Sequence, residues 1–194
     1  MRRAIALGKQ NMGKIYDKID DSMLEWISEQ KMFFVSTAPL SQDGLINCSP
    51  KGMDTFRVLG DRKVGYLDMT GSGVETIAHL KENGRIVIMF CSFEGAPKII
   101  RFHGKGAVFE KGSSEYGERI DAFEEYPGTR SIIEIEIDRI SDSCGFTVPL
   151  YEFKEGRGAL LKWANTKGPD GVLEYQQDKN LKSLDGLPGL KSKV

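Results

Sequence analysis

The chain has 194 residues, 40% of them hydrophobic and 9% aromatic, with 27 Lys and Arg against 28 Asp and Glu. That is the profile of one globular domain, whose core at this length buries about 70% of the surface of the unfolded chain. A formal net charge of -1 lacks the long-range attraction of a surface for nucleic acid or anionic membrane, so generic binding of either is not expected, which leaves room only for a local basic patch.

Arg2-Arg3 is followed by only a short apolar stretch, Ala4 to Leu7, and nowhere does the chain approach the ~20 apolar residues of a membrane span. Cys48, Cys91 and Cys144 are widely spaced, and His79 and His103 are the only histidines. A disulfide framework and a zinc site are therefore not expected, and a cytoplasmic protein without a metal is. Asp20 and Asp21 can cap a helix carrying Met23, Leu24, Trp26 and Ile27. Met32 to Ala38 predicts a strand, Gln42-Asp43-Gly44 a turn, and Leu45 to Ser49 the partner strand of a hairpin. Phe56 to Leu59 and Val64 to Met69 predict a second pair. Thr70-Gly71-Ser72-Gly73 then leads into a helix from Val74 to about Asn83, stopped by Gly84, with Ser72 and Glu75 at the spacing of a capping box. Ile86 to Phe90 reads as a strand buried on both faces, and Lys98 to Phe109 as a long strand with a bulge or bend at Gly104 and Gly106. Ser113 to Tyr126 predicts a helix ended by Pro127-Gly128, and Ile133 to Asp138 alternates as a strand with one wet face. Amphipathic pieces around Leu160 to Ala164 and Val172 to Leu181 precede a Gly/Pro/Lys-rich end. Strands outnumber helices and do not alternate with them regularly, so the expected architecture is mainly β with flanking helices, an antiparallel barrel.

Two places could carry chemistry. Gly71-Ser72-Gly73, after a strand and at the head of a helix, lets backbone approach a phosphate that the helix N-terminus favours. It matches half of a dinucleotide fingerprint, with Glu94 where a ribose-binding acid would stand, but Thr76 replaces the third glycine; a plain glycine turn is the other reading. Cys48-Ser49-Pro50-Lys51-Gly52 ends a strand in a lysine that could meet phosphate as a point charge, or is an ordinary solvated turn. Gly-x-Ser-x-Gly, His-Glu-x-x-His and Walker patterns are absent, and His79, His103 and Cys144 read as structural. A phosphate-binding chain with few acid-base or nucleophilic residues points to a flavin or nicotinamide that does the chemistry itself.

From about Phe33 to Ile140 the order of pieces resembles the pyridoxamine 5'-phosphate oxidase-like family of FMN-binding split barrels. The resemblance is carried by Phe33-Phe34-Val35-Ser36-Thr37, Ser49-Pro50-Lys51-Gly52, Tyr66 to Thr76, Asn83-Gly84-Arg85 leading into Ile86 to Phe90, and Gly104-Lys105-Gly106. It implies a homodimer with FMN at the interface. Lys51, Ser72 and Thr76 would meet the phosphate, Ser49 and Pro50 would lie along the isoalloxazine, Met69 and Thr70 would contact the flavin, and Lys98 would reach in from the partner subunit. It implies an oxidoreductase acting on a small molecule with no catalytic side chain; the alternative is a non-catalytic flavin, deazaflavin or haem binding protein. Residues 1–147 would form the barrel and 148–194 a helical extension packed on it. Where the family often has Ser-Arg-Lys this chain has Val74-Glu75-Thr76, and Trp163 lacks the family's later arginines flanking a histidine. A true pyridoxamine-phosphate oxidase is therefore not expected.

Overall fold

A computed structural model describes residues 13–192; the Arg2 to Leu7 stretch lies outside the described residues. The elements in chain order are β1 (Ile15–Tyr16), α1 (Asp21–Glu29), β2 (Phe33–Thr37), β3 (Asn47–Lys51), β4 (Phe56–Gly60), β5 (Lys63–Met69) and α2 (Glu75–Asn83). They continue with β6 (Arg85–Cys91), β7 (Ile99–Glu110), the single turn α3 (Ser114–Gly117), β8 (Thr129–Ser143) and α4 (Ala159–Lys179). These strands pair antiparallel throughout, in the order β3-β2-β6-β7-β8-β5-β4, with β1 added to β8. An antiparallel sheet cannot be the parallel dinucleotide-binding fold, so the partial glycine fingerprint has a different meaning here.

The sheet curls around its own side chains. Phe33 of β2, Phe56 of β4, Tyr66 of β5 and Phe90 of β6 come from both ends of the strand order, yet their rings meet. The Phe33–Phe56 centroids are 5.2 Å apart and those of Phe56–Phe90 5.0 Å. Such tilted and edge-on ring pairs add to the burial of a core that Ile88, Ile100, Ile133 and Ile135 complete from the central strands.

Local chemistry sets most element ends. Asp20 caps α1, its Oδ1 accepting the Met23 N–H at 2.9 Å, and that bond holds the carboxyl below the usual carboxylate range. Asp20→Ala is expected to lower unfolding stability by about 1 kcal/mol, read as a shift of the urea midpoint at unchanged slope; no shift would mean that the α1 cap carries no weight. Gly84 ends α2 in the left-handed region at φ 72°, a conformation with little penalty only for glycine. The bulge expected near Gly104 lies between His103 and Gly104, where a Cβ on Gly104 would clash with the Glu136 carbonyl oxygen.

Several expectations need correction. The hairpin partner is Asn47–Lys51, with Leu45 and Ile46 exposed in a longer loop, so Gln42-Asp43-Gly44 is only part of the connection. Ile86–Phe90 is buried on one face: Ile86, Ile88 and Phe90 are inside, while Val87 and Met89 are half-buried. The helix expected over Ser113 to Tyr126 is one turn, Ser114–Gly117, and a 3-10 turn, Ile120–Ala122. Gly117 supplies little helical preference, and Tyr116 and Phe123 must both reach the small cluster with Leu67 and Ile132, so the chain bends between them. The strand expected at Ile133 to Asp138 extends over Thr129–Ser143, because it is a central strand paired with both β7 and β5. The two C-terminal amphipathic pieces are two limbs of α4, broken at Gly168 (φ 69°, ψ 171°) before Pro169.

Candidate functional site

The ends of β3 and β5 and the beginning of α2 bound a cleft of about 650 Å³. Ser49, Pro50, Lys51, Met69, Ser72 and Thr76, which lie far apart in sequence, all line it. Thr70 does not. At the end of β5 Asp68 is buried and Met69 half-buried, and Thr70, just past the strand, is buried again. The Thr70 hydroxyl donates to the Gly128 carbonyl at 2.8 Å and accepts from Gln176 Nε2 at 2.7 Å, so it is a buried brace and does not face the cleft. Lys98 also stands away from its own chain's cleft, with Nζ over the Trp26 ring, 4.8 Å from the centroid.

At the base of the cleft is a buried charge cluster. Asp68 is fully buried, with Oδ2 taking the Arg130 Nε–H at 2.7 Å and Oδ1 the Lys51 ammonium at 3.2 Å. Burial alone would push the Asp68 carboxyl up, but Arg130 and Lys51 outweigh it and hold the group below the usual carboxylate range. Arg130 donates a further bond from Nη1 to the Gly73 carbonyl at 2.8 Å, tying β8 to the glycine turn. Lys51 keeps donors for a ligand, since an ammonium has three and one meets Asp68. Asp68 and Arg130 escaped the sequence reading. The available signal was an arginine just ahead of the alternating isoleucines Ile133, Ile135 and Ile137, at the start of a strand where a buried cation needs a partner.

The wall beside Lys51 is polar. Asn47 donates from Nδ2 to Thr76 Oγ1 at 3.0 Å, and the Ser49 hydroxyl donates to Asn47 Oδ1 at 3.0 Å. The expected capping box between Ser72 and Glu75 is not formed. The cap position of α2 is Val74, two residues past Ser72, and no side chain caps the helix. Glu75 Oε1 instead accepts the Leu184 N–H at 3.3 Å. Among the described residues the first N–H groups of α2 therefore have no side-chain cap at the edge of the cleft. The opposite wall comes from the C-terminal segment, whose Lys179, Lys182, Ser183 and Leu184 line the same space.

Other groups do not gather in this way. Depressions of about 350 Å³ (Leu24, Met53, Phe56, Phe90) and about 810 Å³ (Lys31, Phe93, Tyr151, Phe153) are lined by few of the residues that could bind an anion. His79 is fully buried, its Nδ1 paired with Thr37 Oγ1 at 2.9 Å, and burial pushes its pKa down, as it does for His103. Burial pushes the Cys91 thiol up. Among the described residues no group of three or more His, Cys, Asp or Glu could hold a metal ion, and no helix is long and apolar enough to cross a membrane.

A sequence model of pyridoxamine 5'-phosphate oxidase matches residues 19–144, which include the cleft strands and α2. The chain belongs to the pyridoxamine 5'-phosphate oxidase family. This family member is 40% identical to the pyridoxamine 5'-phosphate oxidase family protein ustO of Aspergillus flavus, over 91% of this chain and 78% of that protein. Its fold is that of the crystal structure of a point variant of HupZ from Group A Streptococcus (24% identity, 64% of this chain, 98% of the other, TM-score 0.51). It is also that of a Lactobacillus delbrueckii protein whose name places it with the pyridoxamine 5'-phosphate oxidases (14% identity, 66% of this chain, 98% of the other, TM-score 0.50). At these identities the two crystal structures speak for the fold alone. The antiparallel sheet with flanking helices is the split barrel of the family.

Proposed function

We propose that this family member is an FMN-binding flavoprotein that transfers hydride or electrons to or from a small molecule, as a homodimer with the flavin between the two copies. One observation carries the reading: the Lys51 ammonium on β3 and the uncapped N-terminus of α2 converge on one cleft of about 650 Å³. A lysine point charge and open helix N–H groups suit a phosphate monoester, and the volume is that of a small-molecule site. Ser72 and Thr76 add hydroxyls, and Gly71 and Gly73 let the backbone come close. Glu75 also lines the cleft and opposes an anion, but its carboxylate is engaged with the Leu184 N–H. Pro50 and Met69 offer apolar surface on which a flat ring could rest.

FMN, when bound, supplies hydride or single-electron transfer through its isoalloxazine. The chain's own part is then to hold and orient. Lys51 and the α2 N–H groups neutralise the phosphate, Asp68 and Arg130 fix Lys51 in place, and the Ser49 hydroxyl and Asn47 amide set the polarity beside the ring. Among the described residues no histidine, cysteine or tyrosine lines the cleft, and this reading assigns no acid-base step to a side chain. The homodimer is supported by Leu45 and Ile46, 53% and 79% exposed, next to Lys51's strand, where a second copy would cover them.

A haem carrier finds less support. His79 is enclosed and bonded to Thr37, and neither histidine borders the cleft. Trp163 packs edge-on against Tyr175 within α4, at 5.1 Å between centroids.

Protein purified without added cofactor and then titrated with FMN is expected to quench flavin fluorescence with a saturable midpoint and to remain yellow after gel filtration. Anaerobic addition of NADPH, or NADH, should then bleach the flavin, whereas a carrier would leave it oxidised. Protein that stays colourless after exposure to FMN would remove the reading.

A further inference from the structure

The C-terminal segment that follows the family-matched residues is tied across the cleft. Gln176 reaches Thr70 at 2.7 Å, Asn180 Nδ2 donates to the Gly71 carbonyl at 3.0 Å, and the Leu184 N–H meets Glu75 at 3.3 Å. On the far side the Leu45 N–H donates to Asp185 Oδ2 at 2.9 Å, so the segment spans from the glycine turn to the loop before β3. Gly189 packs so closely on Val74 and the Asn180 carbonyl that a Cβ there would clash with both.

Lys182 sits at the base of a tight hairpin in this strap. It forms an antiparallel bridge with Pro188, and the Ser183 N–H donates to the Leu187 carbonyl at 2.9 Å, while the Leu187 N–H donates to Ser183 Oγ at 3.1 Å. The backbone under Lys182 is therefore held from both sides while its side chain lines the cleft. Of the cations that line it, Lys51 and Arg130 are paired with Asp68, and Lys179 with Asp178. Among the described residues Lys182 alone of these four has no carboxylate within salt-bridge distance. Lys182 is exposed, but its backbone is held and, among the described residues, no carboxylate pairs with it, so its charge is available to an anion entering the concave site that it lines.

We propose that Lys182, carried by the C-terminal strap, is a phosphate-binding residue of the cleft and sets its preference for a phosphorylated over an unphosphorylated flavin. This rests on the flavin reading above. It also fits the absence of a basic side chain at Val74, Glu75 and Thr76 at the start of α2: the strap across the cleft adds a cation to Lys51 and the helix N–H groups.

The test compares FMN with riboflavin, which lacks the phosphate, by fluorescence titration of the full chain. Lys182→Ala is expected to lower FMN affinity about tenfold, the effect of a charge-assisted contact of roughly 1.4 kcal/mol, and to leave riboflavin affinity within about twofold. Lys182→Arg should retain most of the preference, and Lys154→Ala, which removes a cation from the other large depression, should change neither ligand. The FMN midpoint of the wild type should also rise more steeply with salt than that of Lys182→Ala. A wild type that prefers FMN, together with a Lys182→Ala variant of unaltered FMN to riboflavin ratio, overturns the role of Lys182 and leaves the flavin reading standing. A wild type that binds neither flavin overturns the flavin reading and the role of Lys182 with it.

Discussion

Replacing Arg130 by Met is expected to lower the unfolding free energy by about 3–5 kcal/mol, with a fall in Tm of about 6–20 °C at this chain length. The reason lies in Asp68, which has no exposed surface and, among the described residues, only two cations to balance it. Arg130 is the closer, at 2.7 Å and 4% side-chain exposure, and it also satisfies the Gly73 carbonyl. Its removal leaves a buried carboxylate with the single, longer and partly solvated contact to Lys51. The pH dependence follows from the same pair. Asp68's carboxyl is held below its ordinary range when folded, so its pairing stabilises the chain fully above the unfolded value near 3.9 and is lost as pH falls through the lower folded value. In Arg130→Met the burial penalty that Arg130 offset returns, so protonation of Asp68 relieves the variant. The stability gap between the two proteins should therefore be widest near neutral pH and narrow on acidification. Urea melts at neutral and acidic pH measure it. A gap under 1 kcal/mol, or one that does not change with pH, would show that Asp68 and Arg130 do not depend on each other. Asp68→Asn added to Arg130→Met should recover part of the loss, because the buried charge is then gone.

The second large effect falls on ligand affinity. Lys51→Ala is expected to weaken FMN binding about tenfold to a hundredfold, equivalent to about 1.4–2.7 kcal/mol, and riboflavin binding much less. Lys51 is 22% exposed, anchored to Asp68 and directed into the cleft, so its charge is less screened than that of a surface lysine. Lys51→Arg should restore most of the charge but not the full affinity, since a planar fork does not reproduce a compact ammonium beside Asp68. Circular dichroism and a melt on each variant separate a lost ligand contact from a lost fold. FMN affinity unchanged within about twofold in a folded Lys51→Ala protein would take the phosphate away from this residue.

Much of this molecule is legible along the chain because the relevant forces are local. Asp20 reaches only to Met23, Gly84 must supply a left-handed residue after α2, and Gly104 marks a bulge in β7. Alternation of apolar and polar residues sets strand faces by the period of the pleat. These features, together with the motif order from Phe33 to Ile140, were enough to point to the split barrel. Six of the residues singled out from sequence, Lys51 and Thr76 among them, do border one cleft.

Side-chain partners far apart in sequence were not legible. Ser72 and Glu75 have the spacing of a capping box, but the box gives way because Glu75 finds the Leu184 N–H, 109 positions on. Thr70 reads as a cleft residue until Gly128 and Gln176 are seen to enclose its hydroxyl. Asp68 and Arg130 are 62 positions apart, and neither position alone reveals that each is buried against the other. Lys182 belongs to a Gly/Pro/Lys-rich end that composition describes as ordinary surface, and only the strap's closure over the glycine turn gives that lysine a cleft to line. The division is physical. Backbone propensity, capping and pleat alternation act within a few residues and can be read directly, whereas charge burial and hydroxyl pairing depend on which distant segments share a low-dielectric space.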